Sequence, residues 1–323
     1  MIYTIRMRAY LEQKLAGTGA DKTIKQRAGL LAKLANEFGA DHSIEWANDT
    51  KEIEKILTSM PVGTRLTYIY ALIALGKANP DKIKTKTMQR YQDWKSTFEP
   101  ERVAQRKNNT KTPKQEISMS ESLPDLRERL LGILREGTHE LSMNQYQDLL
   151  VVSLYVLRPA LRNDFGELRL TNKKPVDSNF NWLYVKGHEV KIFLNHFKTA
   201  AIMGPQVILI ESDRLVDLIK GWIIRLKAYA KRHHQGDAPE WLLYYSFRGN
   251  AMRHLSTISL QTEIPNMSTR VLGKALTIND YRRLWESWYQ NSDLYKKSTI
   301  AQREEFHRKL LHGSNVAQQY NRV

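Results

Sequence analysis

The sequence predicts a mainly α-helical protein with a small antiparallel β-sheet, an α+β fold. Apolar residues recur at helical spacing along most of the chain, and apolar β-forming stretches flank a glycine turn at Gly187. A polar, basic segment containing Pro113 separates two halves. With 323 residues and 41% hydrophobic content, the chain can bury a sizeable core and exceeds one average domain. We therefore predict a helical domain at 1–106, a basic linker at 107–117 and a mixed α/β domain at 118–323.

The first domain is predicted to be a bundle of helices. They are expected at 23–38, in a short stretch after Asp49, at 66–77 and at 82–105. Asp49 and Glu52 have the spacing of a capping box, which opens the short helix. The apolar stripe of the last helix, which includes Tyr91 and Trp94, indicates core packing rather than stacking on nucleic-acid bases.

The segment between the domains has the composition of an exposed linker. Residues 106–115 include no apolar residue, one proline and four lysines or arginines. Such a linker could follow the phosphates of a DNA duplex while the two domains grip opposite faces, or it could be an ordinary solvated connection. The sequence favours neither alternative.

Charge is the feature that most restricts the partners of the protein. The formal net charge is +16 and the pI is about 9.8. Because the cations are spread along the whole chain, their field attracts polyanions, and nucleic acid is the leading partner. A basic soluble protein or a binder of anionic membranes would carry the same charge. The sequence has neither an apolar run of about 18 residues nor a secretory signal at its start, so we expect an intracellular protein with no membrane partner.

Several kinds of chemistry are excluded by composition. With no cysteine there can be no disulfide framework, thiolate nucleophile or cysteine-bound zinc. The isolated glycines Gly249 and Gly273 form no phosphate-binding loop. We predict no cofactor and no metal.

In the second half, a capping box, a proline and a glycine turn place two basic residues at the ends of a predicted helix and a predicted strand. Ser142 and Gln145 have capping-box spacing and open an apolar helix that Pro159 must end, so Arg162 lies just past this helix. Lys198 directly follows the second strand of the β-hairpin predicted around the glycine turn.

Another arginine lies at a predicted helix start. Thr277 and Asp280 have the spacing of a third capping box, so Arg282 is expected in or near the first turn of a helix. There its guanidinium group and the positive end of the helix could both address a phosphate.

These basic residues belong to an ordered set that resembles the catalytic signature of the tyrosine recombinases, or phage integrases. The family order is Arg, Lys, Arg, His and Tyr, and here it is filled by Arg162, Lys198, Arg282, His312 and Tyr320. The flanks of Arg162 resemble the forms found in large DNA viruses and mobile elements. The resemblance covers about residues 118–323. It implies a helical DNA core-binding domain, a mixed α/β tyrosine-recombinase catalytic domain, and double-stranded DNA as the partner.

The chain departs from the family pattern around both arginines. Where the family usually has His-x-x-Arg, this chain has Asn279 before Arg282, and an amide cannot shuttle a proton. The acidic residue after Arg162 comes earlier than usual, at Asp164, which leaves Arg158 as a weaker alternative for the same role.

The assignments of His312 and Lys198 to the family pattern also leave alternatives. His312 is followed by a glycine rather than preceded by one, and it stands eight positions before Tyr320, where a longer spacing is usual. Lys186 and Lys191 are alternatives to Lys198.

The resemblance implies a role for each member of the set. Arg162 and Arg282 would clamp the non-bridging oxygens of a phosphodiester. Lys198 would protonate the departing 5′-oxygen, and His312 would hydrogen-bond the phosphate and assist the tyrosine proton. Tyr320 would attack to give a 3′-phosphotyrosyl bond that keeps the energy of the broken strand. Rejoining would then need neither ATP nor metal.

We predict from this resemblance a site-specific DNA recombinase or integrase of a virus or mobile element. It would act in the bacterial cytoplasm, or in a host cell or its nucleus if viral. The alternatives are a type IB DNA topoisomerase and a non-catalytic basic DNA-binding protein. Recombinases of this family usually pass a segment beyond the nucleophile to a neighbouring subunit, and here only Asn321, Arg322 and Val323 follow Tyr320. We therefore expect a monomer in free solution and a tetramer on DNA.

Overall fold

The computed structural model shows a mainly α-helical chain with a small β-sheet, which confirms the predicted fold class. It describes residues 2–19, 21–40, 43–107, 111, 113–233, 238–247, 252–318 and 320–321. The chain divides into two compact units, Met1–Asn108 and Asn109–Val323. Each unit has its own hydrophobic core.

The first unit is helical throughout its regular structure in the described residues. Its elements are α1 (Ile2–Lys14), α2 (Asp21–Glu37), a 3-10 turn (Glu45–Asn48), α3 (Thr50–Thr58), α4 (Val62–Ala78) and α5 (Thr85–Lys107). The four predicted helices correspond to α2–α5, and α1 is additional. At the start of α3 the Asp49 side chain accepts a hydrogen bond from the Glu52 N–H at 3.1 Å. Tyr91 and Trp94 of α5 are buried in the core, as their stripe predicts.

The range predicted as a linker is partly helical. The short helix α6 (Pro113–Ser118) occupies its end, with Pro113 at the first helical position, where its missing N–H is not needed. Residues 108–110 and 112 lie outside the described residues.

The second unit is built on a central apolar helix. Its helices are α6, α7 (Leu123–Glu136), α8 (Met143–Val156), α9 (Ala200–Met203), α10 (Asp213–His233), α11 (Thr257–Leu272), α12 (Ile278–Gln290), α13 (Asp293–Lys297), α14 (Ile300–Lys309) and α15 (Ser314–Ala317). Helix α8 is buried from Tyr146 to Val156. The predicted capping boxes at the starts of α8 and α12 are both formed.

The β-sheet contains the predicted hairpin. Its strands, in order across the sheet, are β1 (Leu168–Thr171), β2 (Asn181–Lys186), β3 (Glu189–Leu194) and β4 (Gln206–Leu209). Gly187, with φ 60°, turns β2 into β3. The sheet is mixed rather than wholly antiparallel, because the connection at 172–180 carries the chain back so that β2 runs parallel to β1. A separate pair joins β5 (Tyr244–Ser246) to β6 (Arg253–His254).

A helix that spans a bilayer must be long and apolar, and the described helices were not found to meet both conditions.

Candidate active site

The segment that follows α8 positions Arg162. The Tyr155 hydroxyl, near the end of α8, donates a 2.6 Å hydrogen bond to the Arg162 carbonyl. The Arg162 N–H donates to the Asp164 carboxylate at 3.2 Å. These bonds fix the backbone at Arg162, whose side chain is half-buried.

Helix α12 packs across α8 and carries Arg282 into the interior. Trp285 of α12 donates its indole N–H to the Tyr155 carbonyl at 2.8 Å, and Tyr281 stacks on the Tyr155 ring. Arg282 is 0% exposed, and one of its terminal amino groups donates to the Ala160 carbonyl at 2.9 Å. Burial lowers the pKa of Arg282, and the nearby charge of Arg162 lowers it further.

The end of α14 delivers His312 to this arginine. Leu311 N–H donates to the Arg308 carbonyl at 2.8 Å and His312 N–H to the His307 carbonyl at 3.2 Å, the two bonds of a Schellman motif. The motif needs a left-handed residue after the helix, and Leu311 takes that position with φ 56°. His312 is 2% exposed, and its Nδ1 lies 2.6 Å from a terminal nitrogen of Arg282.

Tyr320 lies against both of these side chains. After α15, its N–H donates to the Ala317 carbonyl at 2.9 Å. Its ring stacks on His312 with centroids 5.2 Å apart and an angle of 14°, and the guanidinium carbon of Arg282 is 5.0 Å from its centroid. Burial would raise the pKa of Tyr320, but the charges and hydrogen bonds of Arg282 and Arg162 lower it below its ordinary value.

Three residues of this cluster, Glu286, His307 and Gln290, were not predicted from the sequence. Glu286, 0% exposed, lies one helical turn after Arg282 and accepts from His312 Nε2 at 2.6 Å and from His307 Nδ1 at 3.0 Å, both at Oε1. Gln290 donates to its other oxygen at 2.9 Å and to the Ala317 carbonyl at 3.2 Å. Burial opposes ionisation of Glu286, but these three hydrogen bonds outweigh it and lower its pKa to about 2.

The ligand atoms of Glu286, His307 and His312 lie within 4.8 Å of one another, close enough to be considered as a metal site. The hydrogen bond from Arg282 argues against this use. Because arginine can only donate, His312 Nδ1 must accept and its ring proton must be on Nε2. A metal ion on Nε2 would move that proton to Nδ1, where it would face the arginine donor, whereas a metal-bound histidine needs an acceptor there. These residues fit a hydrogen-bonded cluster better than a metal centre.

Among the described residues, two predicted site residues make no hydrogen bond or ion pair with the cluster. Lys198 is exposed in the turn between β3 and α9, but the hydroxyl of its neighbour Thr199 donates to the Leu311 carbonyl at 3.1 Å. The backbone beside Lys198 is therefore anchored next to His312. Asn279 is exposed in the first turn of α12. Its side chain forms no hydrogen bond with Arg282 within the described part of the chain.

The residues named as alternatives to Arg162 and Lys198 make other contacts. Arg158 is 6% exposed, stacks on Phe165, and has no hydrogen-bond partner for its terminal nitrogens among the described residues. Burial lowers its pKa to about 10. Lys191 pairs with Glu189 at 2.5 Å, and Lys186 is exposed at the hairpin turn. The charge of Arg162, together with a hydrogen bond from it, lowers the pKa of Tyr320.

Known proteins show little similarity to this chain. No protein-family model and no curated protein matches the chain. Among solved structures, the chain is similar to one described as the crystal structure of XerA recombinase, with a TM-score of 0.38 and 13% sequence identity over 99% of this chain and 94% of that chain.

Proposed function

We propose that this protein is a tyrosine-type site-specific DNA recombinase that cleaves and rejoins DNA through a 3′-phosphotyrosyl intermediate. The observation that carries the proposal is the convergence of Arg162, Arg282 and Tyr320. A phenol with a lowered pKa beside two guanidinium groups is suited to attack a phosphodiester whose charge those groups stabilise.

The proposed step forms one bond and breaks another. The Tyr320 oxygen bonds to phosphorus as its proton passes to solvent water, and the bond from phosphorus to the 5′-oxygen breaks. The departing oxygen takes a proton, for which Lys198 is the proposed donor once its exposed side chain reaches the DNA. Reversal of the step with another 5′-hydroxyl rejoins the strand and regenerates Tyr320.

The test is a covalent-adduct assay on duplex DNA. The full chain is incubated with a nicked suicide duplex in EDTA, and a denaturation-resistant protein–DNA adduct is expected without added metal. Absence of an adduct on every duplex tested, with binding retained, would overturn the enzymatic proposal and favour a non-catalytic DNA-binding protein. An adduct accompanied by relaxation of supercoiled plasmid without strand exchange would indicate a type IB topoisomerase instead.

The two candidate arginines are expected to behave differently. Arg162→Ala should slow adduct formation about 10²- to 10³-fold, because it removes charge stabilisation from the transition state. Arg158→Met keeps side-chain volume and removes a buried charge whose terminal nitrogens have no hydrogen-bond partner among the described residues, so it should leave adduct formation near the wild-type rate and not destabilise the fold. Rates and thermal unfolding are measured for both variants. The reverse pattern would show that Arg158 holds the catalytic position.

DNA binding is expected to weaken steeply with salt. A protein with a net charge of +16 that contacts many phosphates releases counterions on binding. We expect a loss of affinity of about 10³-fold or more between about 50 and 200 mM salt. Fluorescence anisotropy with a labelled duplex measures the slope. A nearly flat dependence would contradict a binding mode dominated by phosphate contacts.

A further inference from the structure

The hydrogen bonds around His312 determine where its proton is. The Arg282 guanidinium group has donors only, so the contact of 2.6 Å to His312 Nδ1 requires an unprotonated Nδ1. A neutral His312 then carries its proton on Nε2, which lies 2.6 Å from Glu286 Oε1. Burial lowers the pKa of His312, and the charge of Arg282 lowers it further, despite the opposing effect of Glu286.

Glu286 is itself held by the surrounding residues. His307 donates to the same carboxylate oxygen at 3.0 Å, and Gln290 donates to the other oxygen at 2.9 Å. Glu286 is 0% exposed, so water does not compete for these bonds. The Schellman motif that ends α14 places His307 and His312 side by side, with ring centroids 6.0 Å apart, where one carboxylate can accept from both.

We propose that Glu286 is a positioning residue that holds His312 with its proton on Nε2, so that His312 Nδ1 fixes the guanidinium group of Arg282. His307 and Gln290 in turn hold the carboxylate. The positioning of His312 stands on the geometry alone, whereas its effect on catalysis rests on the proposed recombinase function.

The proposal changes the role expected for His312. Both ring nitrogens are engaged, one with Arg282 and one with Glu286, so neither is available to bind a phosphate or accept the tyrosine proton. Arg282 uses two of its five N–H donors for the Ala160 carbonyl and His312 Nδ1, and its Nε has no hydrogen-bond partner among the described residues, so donors remain for a substrate oxygen. His312 therefore acts on the substrate through Arg282.

The first experiment measures the proton position directly and needs no activity. The full chain is labelled with ¹⁵N-histidine, and long-range ¹⁵N–¹H correlation spectra are recorded at neutral pH. The protein has nine histidines, and the His312 signals are assigned by their loss in His312→Gln. We expect a neutral ring protonated on Nε2. A ring protonated on Nδ1, or on both nitrogens, would overturn the proposal.

The second experiment measures single-turnover adduct formation. Glu286→Ala should be slowed about 10- to 100-fold, the usual effect of losing a group that orients a catalytic residue. Glu286→Gln, which keeps an oxygen at the Oε1 position, should recover most of the lost rate. In a His312→Ala background, Glu286→Ala should add no further loss, because Glu286 acts through His312.

Equal losses from Glu286→Ala with and without His312 would overturn the proposal, since a general structural role gives additive effects. If Glu286→Ala does not fold, as judged by circular dichroism, the position of the His312 ring proton in the wild-type protein tests the proposal instead. If wild-type protein forms no adduct at all, the recombinase proposal fails, while the spectra still decide the positioning of His312.

Discussion

Tyr320→Phe is expected to abolish the covalent protein–DNA adduct while leaving duplex affinity nearly unchanged. The substitution removes only the hydroxyl, which is the atom required to attack phosphorus. Phenylalanine can keep the stacking of the ring on His312 and the position of the ring under the Arg282 guanidinium group. Denaturing gel electrophoresis of the suicide duplex measures the adduct, and fluorescence anisotropy measures binding.

The same chain offers two matched tyrosines as controls. Tyr289 is buried, with its ring centroid 3.6 Å from that of Phe306, and Tyr295 lies beside Arg303, whose guanidinium carbon is 4.1 Å from its ring centroid. Tyr289→Phe and Tyr295→Phe should each retain adduct formation. An adduct that persists in Tyr320→Phe and disappears in one of these controls would assign the nucleophile to the other tyrosine.

Signals confined to a few consecutive residues predicted local structure well. The boxes Ser142–Gln145 and Thr277–Asp280 each depend on four neighbouring residues, and both form as predicted. The hairpin around Gly187 is equally local. The parallel pairing of β1 with β2 was not predicted, because strand order depends on the path of the connecting segment, which the strand sequences do not encode.

The resemblance selected Arg162, Arg282, His312 and Tyr320, which the structure brings together, although their roles stay predictions. Lys198 and Asn279 also stay predictions, because both are exposed and neither hydrogen-bonds to this group in the described residues. Arg322 and Val323 lie outside the described residues. The expected monomer in solution and tetramer on DNA also stay predictions.

Glu286 and His307 were missed because their importance arises from tertiary contacts. Glu286 does have one local signal, since it lies one turn from Arg282 on the buried side of α12, where a carboxylate needs a partner. His307 has none, because its approach to His312 requires the left-handed conformation of Leu311. A glycine in the sequence usually indicates that conformation, and a leucine at the same position does not predict the turn.

Arg282→Ala is expected to slow adduct formation about 10²- to 10³-fold, as loss of a donor to transition-state charge does in other enzymes. The guanidinium group lowers the pKa of Tyr320, and in the proposed mechanism it also supplies a donor for the phosphate. Its removal also leaves His312 Nδ1 and the Ala160 carbonyl without the hydrogen bonds they now accept. Circular dichroism and duplex affinity are therefore measured together with the rate.

Arg282→Lys separates charge from geometry at the same position. A lysine keeps the positive charge, but its single ammonium group cannot reproduce the planar fork that reaches the Ala160 carbonyl and His312 Nδ1 together. We expect most of the loss seen in Arg282→Ala to remain. The matched control is Arg283→Ala, which removes the neighbouring cation from its 3.0 Å ion pair with Asp280 and should leave cleavage nearly unchanged. Near-normal cleavage by Arg282→Lys would show that charge alone suffices there, and would contradict a role for the fixed guanidinium geometry.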